Sequence, residues 1–252
     1  MTYILILFLT YVLQLLLKLN WVCTAVVLVF LLVMQHFHRI KGQRFQEARK
    51  RFLDVSLYID TLLYSFLKEQ KIIRAFEDVK STLADGHMKE TVSRAIDHMM
   101  LTFDETEVFV DAMRIIEDEY KCNRIVNAHE FMAHAEYYGG DIKESARILL
   151  KDKSAWERRI LRNIEDRQRM FHQIILSVVT SVIISGIILY LPVLSMDISS
   201  NIIVQILSAV LIMLDDLIIL WGQKFLEVDY LGIDLLPRSE ERRVGKECKH
   251  RC

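Results

Sequence analysis

The chain has 252 residues, a net charge of −1 and a hydrophobic fraction of 52%. A net charge near zero gives no sign of a nucleic-acid partner, and none is expected. The positive mean hydropathy of +0.24 is high for a soluble protein and indicates membrane-embedded segments. Two prolines and eight glycines favour long helices over sheets and tight turns. The four cysteines show neither a disulfide framework nor the paired spacing of a metal site.

Two apolar runs open the chain, at residues 3–17 and 21–35, with Lys18-Leu19-Asn20 between them. Each run is short against the roughly 20 residues of a full membrane crossing, which favours two tilted helices joined by a tight loop. A single bent anchor helix is the alternative. We therefore expect an N-terminal transmembrane hairpin over residues 1–36.

The segment that follows, residues 36–51, is strongly basic. It carries Arg39, Lys41, Arg44, Arg49, Lys50 and Arg51 against the single acidic residue Glu47. By the positive-inside rule this segment is cytoplasmic, and so is the N-terminus if both apolar runs cross the membrane.

Residues 37–170 are predicted to form one cytoplasmic helical domain resembling a six-helix bundle. Apolar residues recur there at helical spacing, as in the stripe Phe52, Val55, Ile59 and Leu62. The predicted helices cover residues 45–68, 72–83, 87–101, 104–120, 125–138 and 141–170. Asp104 is the expected N-cap of the fourth helix, and the sixth helix is a candidate for a kink around residues 151–154.

The best-marked turn of this domain is the sequence Tyr137-Tyr-Gly-Gly-Asp141. Glycine is favoured just past a helix end because it adopts positive φ without a steric penalty. Asp141 is a suitable N-cap for the next helix, and Glu144 stands three residues later, as a capping box requires. Gly139 and Gly140 are therefore predicted to end one helix and Asp141 to begin the next.

The sixth helix ends in an arginine-rich face that precedes a third apolar run. Its candidate contact residues are Arg158, Arg159, Arg162 and Arg167. Two interpretations stand side by side: contact with anionic lipid at a cytoplasmic flank, or docking of an acidic partner. Residues 171–194 and 202–221 are the third and fourth predicted spans, so residues 171–230 form a C-terminal helix pair and both termini are cytoplasmic.

Two adjacent carboxylates, Asp215 and Asp216, interrupt the fourth apolar run. Charged groups inside a membrane are costly and are candidates for a function such as a proton relay or a polar contact with another helix. The alternative is that the span tilts or ends early and leaves both carboxylates at the cytoplasmic interface. Gln205 is the other strongly polar side chain of this run.

The chain lacks the common sequence signatures of an active site. It contains no Gly-rich phosphate loop with a following Lys-Ser or Lys-Thr, and no nucleophile elbow. His129-Glu130 is followed by His134, one residue too far for the zinc motif of metalloproteases. The sequence therefore predicts a protein that is not an enzyme and uses no metal and no cofactor.

Residues 238–252 differ abruptly from the rest of the chain. They are polar, fit no predicted element, and resemble the translation of a short sequencing adapter. We expect them to be non-native; a basic cytoplasmic tail is the alternative.

Two stretches of the cytoplasmic region resemble a known family. Residues 132–146 resemble the core motif of type II secretion F domains, in which a helix ends at a Gly-rich corner and a second helix begins. Residues 154–169 are similar to the charged helix before the membrane in the tight adherence (Tad) pilus members of that family. The layout of two spans, one domain and two spans also matches, over roughly residues 40–230. One departure is Glu69-Gln70-Lys71, which stands where the family has a helix-turn glycine.

This resemblance implies a multi-pass platform protein of the cytoplasmic (inner) membrane. It implies that Glu136, Gly139, Gly140 and Asp141 form the family's structural hairpin. The implied partners are a hexameric cytoplasmic secretion ATPase, a sister platform subunit, pilin-like subunits and membrane lipid. The alternatives are a membrane-tethered scaffold or signalling protein, and a small ion-coupled transporter that uses Asp215 and Asp216.

Overall fold

A computed structural model of the chain describes residues 2–101, 108–139, 142–190, 201–226 and 230–231. These residues form helices joined by short turns and contain no strand, which confirms the predicted all-helical class. The helices are α1 (Thr2–Leu16), α2 (Trp21–Glu69), α3 (Ile72–Thr82), α4 (His87–Leu101), α5 (Val108–Tyr120), α6 (Asn123–Tyr138), α7 (Ile142–Tyr190) and α8 (Ile202–Lys224). The predicted cap residue Asp104, like the segments 191–200 and 232–252, lies outside the described residues.

Two of the helices are much longer than the others, at 49 residues each. Separate helices were expected at residues 21–35 and 45–68, but α2 runs through the basic segment between them without a break. The physical reason is that this segment has no proline, and Gly42 alone does not stop a helix. Helix α7 likewise continues through residues 151–154, where a kink was considered.

The chain divides into two compact units. Unit 1 comprises Met1–Glu47 and Asn163–Val228, and unit 2 comprises Ala48–Arg162 and Asp229–Cys252. Both long helices therefore supply residues to each unit. The predicted limits at residues 36 and 170 concern the membrane boundary and stay a prediction.

Unit 1 contains the apolar helices. Three helices, α2, α7 and α8, have segments that are long and apolar enough to cross a membrane, and α1 is a shorter apolar helix. In the most apolar windows of these three helices only 6% to 22% of residues are buried within the protein. Such exposed apolar helices are typical of segments surrounded by lipid, and they indicate a helical membrane protein.

Contacts at the two ends of unit 1 show which parts of α1, α2 and α7 lie together. At one end Tyr190 of α7 donates from its hydroxyl to Leu15 O of α1 at 2.7 Å. At the other end the guanidinium of Arg39 on α2 lies 5.2 Å from the ring centroid of Tyr3 on α1. Close packing near the first end requires Gly186, where an added Cβ would lie 2.6 Å from Leu16 Cγ.

Unit 2 has a core built on the second half of α2. The predicted stripe Phe52, Val55, Ile59 and Leu62 is buried, as the helical spacing indicated. Trp156 of α7 packs edge-on against Phe52, with ring centroids 5.1 Å apart. This aromatic contact and the aliphatic stripe supply the apolar burial that stabilises the unit.

Candidate functional site around the acidic pair of α8

Asp215 and Asp216 are neighbours on α8, but their side chains contact different parts of the protein. Successive residues of a helix are turned by about 100° from each other. Asp216 accordingly contacts His38 of α2, whereas Asp215 lines a groove beside α7. The two carboxylates therefore do not act as one paired site.

Asp216 belongs to a polar seam between α2 and α8. Its Oδ1 lies 3.2 Å from His38 Nε2, and His38 Nδ1 lies 3.0 Å from Gln223 Oε1. Since both neighbouring oxygens are acceptors, this arrangement favours an imidazolium that donates from both ring nitrogens. Lys41, one turn further along α2, donates from Nζ to Leu220 O at 2.9 Å. This seam places positive groups beside the C-terminal end of α8, where the helix dipole favours them.

Asp215 lacks such a partner. Its side chain is 8% exposed, and its buried Oδ2 has no hydrogen-bond partner among the described residues. It lines a groove of about 440 Å³ between α7 and α8. Across from it on α7 stand Gln173, Ile174, Ser177 and Ser181. A buried carboxylate oxygen that accepts no hydrogen bond costs free energy. A hydrogen-bond donor placed beside Asp215 in the groove would therefore be stabilising.

Gln205, the other polar residue of α8, has a structural role. Its Oε1 accepts from the backbone N of Asn20 at 2.7 Å, and its Nε2 donates to Lys18 O at 2.7 Å. These two residues form the turn between α1 and α2, in which Lys18 adopts φ 47°. The side chain thus satisfies backbone groups that the tight turn leaves unpaired, and it attaches α8 to the hairpin.

The four predicted contact arginines differ in their surroundings. Arg167 donates from Nε to Asn163 Oδ1 at 2.7 Å and from Nη1 to Phe225 O at 2.5 Å. The second bond satisfies a carbonyl at the end of α8 and is structural. Arg159 is partly buried, and its Nε has no hydrogen-bond partner among the described residues. Arg158 and Arg162 are exposed and are the two free to meet a partner or lipid headgroups.

The predicted hairpin corner is described in part. Gly139 ends α6 with φ 67°, as expected of a glycine at this position. Glu136 accepts from the backbone N of Ile72 at 3.1 Å, so it caps α3, whose own N-cap Lys71 makes no side-chain bond. Gly140 and Asp141 lie outside the described residues. No local sequence pattern indicates the Glu136 contact, because α3 begins 64 residues earlier.

Unit 2 also buries a chain of three polar side chains. Tyr58 Oη lies 2.6 Å from His129 Nε2, and His129 Nδ1 lies 2.8 Å from Glu117 Oε1. Burial lowers the pKa of His129 and raises the pKa of Tyr58 well above its usual value. The imidazole is therefore neutral, accepting from the phenol and donating to the carboxylate.

Although the order of these groups resembles a nucleophile–base–acid triad, Tyr58 and His129 are 0% and 1% exposed. No substrate can reach them, so the chain of hydrogen bonds is a structural network. The sequence suggested His129 only as part of an incomplete metal motif. Among the described residues no group of three metal-ligating side chains is brought together.

No protein-family model, no curated protein and no solved structure matches this chain.

Proposed function

We propose that the chain is a non-enzymatic platform subunit of a tight adherence pilus or related type II secretion machine in the cytoplasmic (inner) membrane. In this role its helical unit engages a hexameric secretion ATPase, and its membrane unit meets pilin-like subunits and a sister platform subunit. The proposal rests on the family resemblance of residues 132–146 and 154–169 and on the arrangement of α7.

The observation that carries the proposal is the continuity of α7. This one helix contributes its charged first half to unit 2 and its apolar second half to unit 1, with no break between them. A continuous helix transmits rotation or displacement along its axis, whereas a linker would absorb it. That property is what a subunit needs to pass a conformational step from an ATPase to membrane helices.

A layout with four spans and both termini cytoplasmic is part of the proposal. Helix α1 has 15 residues, or about 22 Å at 1.5 Å per residue, which is short against a hydrocarbon core of about 30 Å. Its end contacts agree with an antiparallel hairpin, since Leu15 meets α7 at one end and Tyr3 meets Arg39 at the other. The end that holds Arg39 also holds Lys41 and Arg167, as the positive-inside rule requires of a cytoplasmic face.

Binding of the ATPase is tested with photo-crosslinking residues at the exposed positions Arg158 and Arg162. We expect adducts with the secretion ATPase at these positions. The matched control is the same probe at Leu176, which is 67% exposed within the apolar half of α7 and should contact lipid. Failure of both arginine positions to capture the ATPase, in cells that assemble pili, would count decisively against the proposal.

Transmission along α7 is tested by loosening the helix at two exposed residues. Replacing both Glu165 and Asp166 by Gly costs about 2 kcal/mol of helix stability relative to Ala. We expect the Gly pair to abolish pilus assembly while ATPase binding persists, and the Ala pair at the same positions to assemble normally. Equal activity of the two variants would contradict a mechanical role for this helix.

Ion-coupled transport is the second candidate. It is favoured by two carboxylates in α8, each with a buried oxygen that lacks a partner among the described residues. The test is ion or proton flux in proteoliposomes with the full chain and with Asp215→Asn and Asp216→Asn. Flux that both substitutions abolish would establish this function in place of the first.

A further inference from the structure

We propose that the groove between α7 and α8 binds a transmembrane helix of a partner protein, and that this helix presents a hydrogen-bond donor to Asp215. The groove runs beside residues 170–181 of α7, about 16 Å of helix. The inference concerns this surface only and holds whichever machine the chain serves.

Asp215 determines which chemical group the partner helix must carry. Its side chain is more than nine-tenths buried, and its Oδ2 has no hydrogen-bond partner among the described residues. By contrast, Gln205 on the same helix has partners for both its oxygen and its nitrogen. Within a bilayer, water is not at hand to satisfy such an oxygen. A hydroxyl, amide or ammonium group on an apolar partner helix would donate the missing hydrogen bond to this carboxylate.

The shape of the groove favours a helix over a lipid chain. Gln173, Ser177 and Ser181 follow each other at intervals of four residues and so lie on one face of α7. The small serine side chains let another helix backbone approach closely, which is the usual way that membrane helices pack. A lipid acyl chain could fill the space but offers no donor to the carboxylate.

The donor is expected to come from another protein. Two exposed hydroxyls on α7 already donate within the chain: Thr180 Oγ1 to Leu176 O at 2.8 Å, and Tyr190 Oη to Leu15 O at 2.7 Å. Neither of these two hydroxyls is therefore free to donate to Asp215 when a second copy of the chain packs through its own α7.

The test uses the full chain in native membranes with a small diazirine side chain at Ser177. The matched control carries the same probe at Val179, which is exposed and turned about 200° away on α7. We expect the Ser177 probe to yield a protein adduct whose linked peptide, mapped by mass spectrometry, is an apolar span with a donor side chain. The Val179 probe should yield lipid adducts.

Two substitutions show whether Asp215 forms the contact. Asp215→Leu removes the acceptor and should lower the adduct yield about tenfold, as expected for a hydrogen bond to a charged group. Asp215→Asn keeps an acceptor oxygen and should retain much of the yield. Neither variant should unfold at a lower temperature in detergent, because the oxygen has no internal partner to lose.

The inference is overturned by any of four results. These are adducts with lipid alone, an adduct with a second copy of the chain, a captured helix without a donor near the linked residue, and an Asp215→Leu yield equal to that of the unsubstituted chain. Replacing the donor of the captured helix by alanine should reproduce the loss seen with Asp215→Leu.

Discussion

Tyr58 and His129 are joined by a hydrogen bond of 2.6 Å, although 71 residues separate them in the chain. The bond connects α2 to α6 inside the core of unit 2, and Glu117 of α5 extends it. Three helices are thus held in register by polar groups that are buried and mutually satisfied.

Replacing Tyr58 by Phe should destabilise the protein by about 1–3 kcal/mol, because His129 Nε2 would remain buried without a donor. The measurement is thermal or denaturant unfolding of the detergent-solubilised chain. Tyr64→Phe is the matched control, since Tyr64 lies on the same helix and is 61% exposed. That variant should change the stability by less than about 0.5 kcal/mol. Equal stabilities of the two variants would show that the network contributes nothing.

The contribution of His129 to stability should fall as the pH drops below about 6.5, the pKa of an unperturbed histidine. Burial lowers the pKa of His129 in the folded state, so the unfolded chain binds a proton that the folded chain does not. Linkage then makes folding weaker with decreasing pH, by up to about 1.4 kcal/mol per pH unit, down to the folded-state pKa.

The check is unfolding free energy between pH 5 and pH 8 for the unsubstituted chain and for His129→Gln. The slope below pH 6.5 should be smaller in the substituted chain. His134→Gln serves as control, because His134 is exposed on the same helix, and its slope should match that of the unsubstituted chain.

Replacing Gly186 by Ala should weaken the contact between α7 and α1. The new Cβ would lie 2.6 Å from Leu16 Cγ and 2.8 Å from Leu16 Cδ1, so one side chain or helix must move. Overpacking of this kind costs about 1–3 kcal/mol. Trimming the neighbour with Leu16→Ala should restore much of the loss in a double-mutant cycle.

Gly42→Ala is the control for that substitution. Apart from its chain neighbours and the backbone of its own helix, no atom lies within 4 Å of a Cβ built there, and Gly42 stands inside α2. The change should therefore stabilise the helix by up to about 1 kcal/mol. If Gly186→Ala and Gly42→Ala change the stability by the same amount, the short contact with Leu16 does not determine the effect of the substitution at Gly186.

Replacing Gln205 by Leu should loosen the membrane unit, since Asn20 N and Lys18 O would both lose their partner. Each unsatisfied backbone group costs about 1–3 kcal/mol. Faster cleavage at the α1–α2 turn by added protease is the observable. Leu207→Val, at a position that is 68% exposed, should leave the cleavage rate unchanged.

Much of the fold could be predicted because helix signals are local. The stripe of Phe52, Val55 and Ile59 placed the buried face of α2, and Gly139 marked the end of α6. The ends of α2 and α5 lie within one residue of the predicted positions 68 and 120, although Gln70 and Lys121 adopt positive φ there without being glycine. Such positions are set by the packing of the neighbouring helices rather than by residue type.

From the sequence, the candidate site could be predicted only as a pair of adjacent acidic residues. The sequence places Asp215 and Asp216 side by side, but their separation into a groove and a histidine contact depends on which helices adjoin α8. Arg167 was predicted to meet a partner or lipid because arginine is frequent at cytoplasmic flanks. Its bond to Phe225 O, 58 residues away, follows from tertiary packing that no local spacing reports.

The attachment of Gln205 to the α1–α2 turn has a consequence for biosynthesis. At about 5–20 residues per second, the 185 residues between Asn20 and Gln205 take about 10–40 s to synthesise. Over that interval the turn can bond only to water or lipid headgroups. The α1–α2 hairpin therefore acquires its contact with α8 only after the ribosome has synthesised that helix. Membrane insertion of the hairpin and its packing against α8 are thus separate events.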